Sequence, residues 1–307
     1  MVAVSYPITD GFIRGLSWQS GAAEDPCQTV LCLHGWLDNC HSFLPLLCED
    51  TLTDVLQTQQ AALEMVGRQS YSGLTQTSSW RFIAIDWPGH GHSSHKPHNY
   101  HFADWVGDLH QVVQALGPVH IIGHSLGGMV ASCFAAAFPE WVRSLVLLES
   151  AGPLALAVTE TTSHLRQALL KRQSPASSRA PKLRSLQQLQ HAKARALALS
   201  IEDGISMVAR DNVEEQGQYR WRHDQKLLQI SPFRLAPAQA EQLVSSIKCP
   251  TLCLLAKQGH QQIADHFHAR QDLFQQLSYQ QLPGHHHFHI EHAEAVGQAV
   301  EEFFVKL

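Results

Sequence analysis

Five short runs in this chain are apolar almost throughout: Thr29–Leu33 (TVLCL), Arg81–Asp86 (RFIAID), Val119–Gly123 (VHIIG), Ser144–Ser150 (SLVLLES) and Thr251–Ala256 (TLCLLA). A strand with water on one face alternates apolar and polar residues. Runs without that alternation describe strands covered on both faces, as in a parallel sheet. Between them lie segments of helical spacing at Ala103–Leu116, Leu126–Ala137, Ile263–Leu277 and Ala293–Phe304, with Leu277–Leu282 as a last strand. Strand–helix alternation of this kind predicts a doubly wound, mostly parallel α/β sheet. Val2–Trp18 reads as an antiparallel hairpin around Asp10-Gly11.

Two stretches interrupt the alternation. Glu49–Ser79 puts more chain between the first two buried strands than one crossover helix needs, and reads as a helix followed by a Ser/Thr/Gly-rich loop. Gly152–Leu235 is polar and helical, with a breaker cluster at Arg172–Lys182 (RQSPASSRAPK). It falls between two strands of the sheet, after the sixth, where a mobile cap over a pocket would sit. The expected organisation is therefore a core of residues 1–151 and 236–307, a helical cap at 152–235, and an insertion at 49–79 within the core.

The formal net charge of -5 carries no basic block, which argues against nucleic acid or an anionic membrane as a partner. The N-terminus MVAVSYPITDG has neither a basic n-region nor a long apolar run, and no stretch reaches the roughly 18 apolar residues of a membrane span. The cysteines are odd in number, and Cys32, Cys133 and Cys253 lie inside apolar segments, as small core residues in a reducing compartment do. A cytoplasmic location follows. The C-terminal Val-Lys-Leu offers a peroxisomal alternative, with valine in place of the small polar residue of the Ser-Lys-Leu address. Histidines cluster at His90–His101 and His285–His292. Neither cluster has the i, i+4 helical pairing with a third ligand that a zinc site uses. No metal and no cofactor are expected, and most of these histidines read as loop residues without a structural job.

The segment Ile121–Val130, IIGHSLGGMV, holds a serine between glycines two positions to either side, after a buried strand and before a helix. That is the context of a nucleophile elbow: a sharp strand-to-helix turn strains the serine backbone, and its neighbours must lack side chains. Ser125 would then project above the sheet at a helix N-terminus, where the dipole favours a developing negative charge. Acyl transfer also needs two N–H donors for the oxyanion. Leu126 supplies one, and Trp36, in the HGW that follows Leu33, supplies the other.

The segments LHGWLDN (33–39), IDWPGHGHSS (85–94), GHSLGG (123–128), FPEWVRSLVLLES (138–150) and LPGHHHFHIEHAEAV (282–296) together resemble the α/β-hydrolase superfamily. Within it, the likeness is to the serine hydrolase-like proteins of vertebrates and their bacterial relatives. It runs from about Val30 to the C-terminus, and Tyr219–Leu235 resembles the end of their cap. Glu49–Ser79 is an insertion relative to that pattern. The resemblance implies an α/β-hydrolase fold with a catalytic histidine in the loop after the last strand. Its Gly-x-His-x-x-His pattern, laid on PGHHHFHIE, selects His286 as the base, with His285 and His287 as competitors.

The acid has two possible positions. The loop after Thr251–Ala256, where many members place an aspartate, offers Gln258, Gly259 or His260 at that point, with Asp265 the nearby carboxylate. The other position is the end of the strand after the elbow helix, where Glu149 closes an apolar run and would cost several kcal/mol if buried without a partner. Glu149 is the preferred acid and Asp265 the alternative. Asp86 reads as a brace for its loop, and His124 as a packed neighbour of the nucleophile.

These residues imply a cofactor-free serine hydrolase of carboxylesterase type that acts on a small-molecule ester or related acyl compound. A lactonase, a carbon–carbon bond hydrolase or a perhydrolase on the same triad is the alternative chemistry. A non-catalytic ligand sensor on a hydrolase fold is the alternative class.

Overall fold

The computed structural model describes residues 1–19, 28–47, 80–173 and 182–307, so the proposed insertion at 49–79 lies outside the described residues. Among the described residues ten strands are formed: β1 (Val2–Ile8), β2 (Gly11–Gln19), β3 (Gln28–Leu33), β4 (Trp80–Ile85), β5 (Val119–His124), β6 (Val142–Leu148), β7 (Asn212–Glu215), β8 (Gln218–Trp221), β9 (Thr251–Ala256) and β10 (Leu277–Leu282). All but β7 and β8 join one eight-stranded sheet in the order β1-β2-β4-β3-β5-β6-β9-β10. Its antiparallel pairings are β1 with β2 and β2 with β4, and every other neighbour is parallel.

The unalternating apolar runs are explained by cover on both faces. On β3, Leu31 and Leu33 pack with Leu109, Val112 and Val113 of α1 (Phe102–Leu116) and with Val130 and Phe134 of α2 (Leu126–Ala137). Val30 and Cys32 of the same strand point the other way, into a core that contains Val296, Val300 and Phe303 of the C-terminal helix Ala293–Val305. Full burial of each such aliphatic side chain contributes about 1.5–3 kcal/mol. β10 is the exception: it is an edge strand, and its exposed Gln280 and Gln281 match that place. Cys32, Cys133 and Cys253 are buried free thiols.

Two local expectations are corrected. The helix expected over 263–277 is α-helical only over Gln261–Arg270, because the chain must turn at Gln271–Leu273 before Leu277 pairs with Thr251 in β10. Segment 152–235 is not wholly helical. Its helices α3 (Thr161–Gln173), α4 (Leu186–Leu197) and α5 (Ile201–Arg210) are followed by the β7–β8 hairpin. The turn residues Gln216 and Gly217 both have positive φ, 54° and 78°, the handedness that a tight two-residue hairpin requires.

Arg210, the last residue of α5, ties this segment to the sheet. Its guanidinium donates to both carboxylate oxygens of Asp86, with Nε 2.8 Å from Oδ2. Asp86 is fully buried at the end of β4, and also accepts from the Cys40 N–H at 2.9 Å and the His92 N–H at 2.8 Å. Burial alone would raise this carboxyl's pKa, but Arg210 and the N–H donors hold it below the usual aspartate value. The expected brace is therefore present, with a cationic partner that lies 124 residues away in the chain.

Truncation of one member of a buried ion pair leaves the other charge uncompensated. Asp86→Ala is expected to lower the urea unfolding free energy by about 3–5 kcal/mol. Glu215→Ala, which removes the exposed Arg220–Glu215 pair, should cost less than about 1 kcal/mol in the same measurement.

Candidate active site

Parallel strands deliver their C-terminal ends to one edge, and the strand order reverses between β3 and β5, where such sheets hold ligands. Ser125 sits there, between β5 and α2, with φ 50° and ψ −116°. Its N–H donates to Leu148 O of β6 at 3.0 Å, which pins the turn to the neighbouring strand. A Cβ on residue 127 would lie 2.1 Å from Leu33 O, and one on residue 123 would lie 2.6 Å from the Gly128 Cα. Only glycines allow β3, β5 and α2 to meet this closely.

Glu149 leaves β6 with φ 47° and turns its buried carboxylate toward three donors. Oε1 accepts from the Ala256 N–H at 2.8 Å, and Oε2 accepts from the His260 N–H at 3.2 Å. The third partner is His286 Nδ1, 3.2 Å from Oε2. Gly259 makes room for the carboxylate, since a Cβ there would lie 2.4 Å from Oε1. The loop that could have carried an acid thus provides an N–H and a gap to receive one from β6. Asp265 is exposed on the helix Gln261–Arg270 and accepts from Gln261 Nε2 at 2.8 Å. Of the two carboxylates weighed from the sequence, Glu149 is the one bonded to His286.

The His286 ring also packs against those of His260 and His124, with centroids 4.2 and 4.8 Å away. Burial lowers its pKa below the ordinary histidine value, and the hydrogen bond to Glu149 opposes that shift without reversing it. The imidazole is therefore neutral near pH 7, with Nδ1–H directed to Glu149 and the Nε2 lone pair free to take a proton. No hydrogen bond joins Ser125 Oγ to His286 among the described residues. In ligand-free enzymes the serine–histidine contact is commonly long, and it tightens when substrate binds.

His285 is half exposed and pairs with Glu291, at 3.1 Å. His287 turns inward, with Nε2 3.2 Å from Asp38 Oδ2. The three consecutive histidines therefore have three different partners.

The HGW loop is held by buried histidines, and His90, from the first histidine cluster, has a structural job among them. His34 Nε2 accepts from the Trp87 N–H at 3.0 Å, which assigns the proton to Nδ1, 2.7 Å from Gly35 O. His90 Nε2 accepts from the Leu37 N–H at 3.1 Å. His124 Nε2 lies 2.9 Å from His286 O, so His124 also ties the end of β5 to the loop that carries His286. All three rings are fully buried. From segment 152–235, the Lys193 ammonium donates to Leu37 O, and Leu227 O accepts from the indole N–H of the half-exposed Trp36 at 3.2 Å.

A family model described as the alpha/beta hydrolase fold matches residues 28–193. A serine hydrolase-like protein of Danio rerio is 30% identical over 312 residues, covering 97% of this chain and 86% of that protein. A serine hydrolase-like protein of Dictyostelium discoideum is 28% identical, over 91% of this chain and 76% of its own length. Among solved structures, a hypothetical protein of Pseudomonas aeruginosa PAO1 superposes with a TM-score of 0.81 at 27% identity, with 99% of each chain covered.

In an NMR titration the His286 ring should change charge below pH 6.5, the ordinary histidine value. The Glu149 carboxylate stabilises the imidazolium, so Glu149→Gln should lower that midpoint further. An unchanged midpoint in the variant would mean that the Glu149–His286 contact is not made in solution.

Proposed function

The chain belongs to the α/β-hydrolase fold family, among the serine hydrolase-like proteins, and on that premise we propose that it cleaves a carboxylic ester or related acyl compound through an acyl-enzyme on a Ser125–His286–Glu149 triad. The observation that carries this reading is the buried Glu149 carboxylate, which receives His286 Nδ1 while the two N–H donors of Ala256 and His260 anchor it.

In this reading Ser125 Oγ attacks the acyl carbon and His286 Nε2 takes the hydroxyl proton. Glu149 fixes the imidazole tautomer and stabilises the imidazolium as it forms. The N–H groups of Trp36 and Leu126 bind the oxygen that becomes negative, and His286 returns its proton to the leaving alcohol. Water then attacks the acyl-enzyme by the same route. The N-terminus of α2 and the low-polarity surroundings strengthen both electrostatic terms. Segment 152–235 serves as the cap. Its contacts to Leu37 and to the Trp36 indole support that role, because they border the oxyanion loop.

A fluorophosphonate probe should label the chain at Ser125, and Ser125→Ala should abolish the labelling. Labelling of that variant as strong as wild type would exclude Ser125 as the nucleophile, and no labelling of either would favour a ligand sensor. With p-nitrophenyl esters, Glu149→Gln should lose about 10²–10⁴-fold in kcat, whereas Asp265→Asn should stay within about twofold. The acid limb of kcat/KM should fall below pH 6.5, where the direction of the His286 shift puts it.

A further inference from the structure

Beneath the elbow lies a cluster that the proposed hydrolysis does not use. Asp38 comes from the HGW loop, His124 is the last residue of β5, and His287 follows the base. All are buried. Asp38 Oδ2 is 3.2 Å from His287 Nε2 and 3.6 Å from His124 Nδ1, and the three ligand atoms lie within 4.8 Å of one another. Donors bound tetrahedrally at 2.0–2.1 Å stand about 3.3 Å apart, so little closure is needed to surround one ion.

The protons supply the stronger argument. His124 Nε2 is 2.9 Å from His286 O, an acceptor only, so Nε2 carries a hydrogen. The neutral ring then presents a bare lone pair at Nδ1, facing a carboxylate oxygen, and no hydrogen bond satisfies that nitrogen among the described residues. Two acceptors opposed in a buried site are costly, and a cation between them removes that cost. A proton on Nδ1 is the poorer choice, since 3.6 Å is too long for the bond it would make. Asp38 Oδ1 and His287 Nδ1 are likewise buried without partners. Gly35 leaves the space open, because a Cβ there would stand 2.8 Å from Asp38 Oδ2 and 2.9 Å from His124 Nδ1. A ligating imidazole whose other N–H binds a backbone carbonyl is the usual outer arrangement of metal-bound histidine. His289, with neither ring nitrogen hydrogen-bonded among the described residues, packs its ring 4.2 Å from that of His124 and adds a further buried imidazole.

We propose that Asp38 Oδ2, His124 Nδ1 and His287 Nε2 bind one divalent transition-metal ion of the zinc class, which clamps together the loops that bear Trp36, Ser125 and His286. Two imidazoles and one carboxylate suit such ions better than magnesium or calcium. The ion touches neither substrate nor Ser125. It neutralises Asp38 and holds three segments in register, and because the site is closed it is loaded as the chain folds.

The tag-free full chain, refolded in excess Zn2+ and dialysed against buffer, should retain about one zinc per chain by mass spectrometry. Refolded in Co2+, it should show the visible d–d absorption of a low-coordinate site. Asp38→Asn and His287→Gln, each verified as folded by circular dichroism, should retain less than about a tenth of that metal. His286→Ala should keep the ion although it loses hydrolysis, which separates this proposal from the triad assignment. A folded wild-type chain that retains no metal, or variants that retain as much as wild type through its other histidines, would overturn it.

Discussion

A carboxylate cut off from water must be answered by donors, and the answer to Glu149 organises this site. Its charge leaves β6 at the centre of the sheet, and its donors come from β9, from the turn after β9 and from the loop after β10. Loss of any one would leave part of a buried charge unpaired, at a cost of one to several kcal/mol. The geometry is thus over-determined: the backbone N–H groups of Ala256 and His260 hold the carboxylate before His286 meets it. The positive φ at Glu149 is strain that such anchoring sustains. The position of the carboxylate is therefore set by the backbone as well as by the imidazole.

Histidine is used here more often as a rigid two-ended connector than as a proton carrier. His34 accepts from the Trp87 N–H through one nitrogen, and its other nitrogen faces a carbonyl; His90 does the same between the Leu37 N–H and Pro88 O. The arrangement works only for a neutral ring, since an imidazolium has no acceptor to offer an N–H. Burial supplies that condition by lowering the pKa of both rings. The same burial that lowers the pKa of His286 makes its neighbours reliable fasteners.

What could be read from the sequence was what local chemistry dictates. The buried strands betrayed themselves by lacking alternation, and the elbow by glycines whose spacing answers a steric demand within five residues. A charge that closes an apolar run is costly without partners, and the Glu149 carboxylate does have three. The Arg210–Asp86 pair was not legible, for its members are 124 residues apart and neither has a telling neighbour. The Asp38–His287 contact spans 249 positions and was hidden for the same reason. The β7–β8 hairpin did leave a local trace, Gly217 at a turn position, but the polar helical composition around it masked the signal.

The buried pairs also decide which part of segment 152–235 can move. α5 buries most of its length, ends on the Arg210–Asp86 pair, and gives the carbonyls of Ser206 and Met207 to His41 and Asn39 beside the HGW loop. α4 adds Lys193, whose ammonium reaches Leu37 O and Asp211. Both helices are therefore coupled to the HGW loop, and to move them means breaking desolvated charge contacts. α3 buries Ala168 alone, so its detachment exposes little apolar surface. Local opening is cheapest where few buried contacts are lost. α3 is thus the part of segment 152–235 whose detachment costs least, while α4 and α5 stay fixed to the HGW loop.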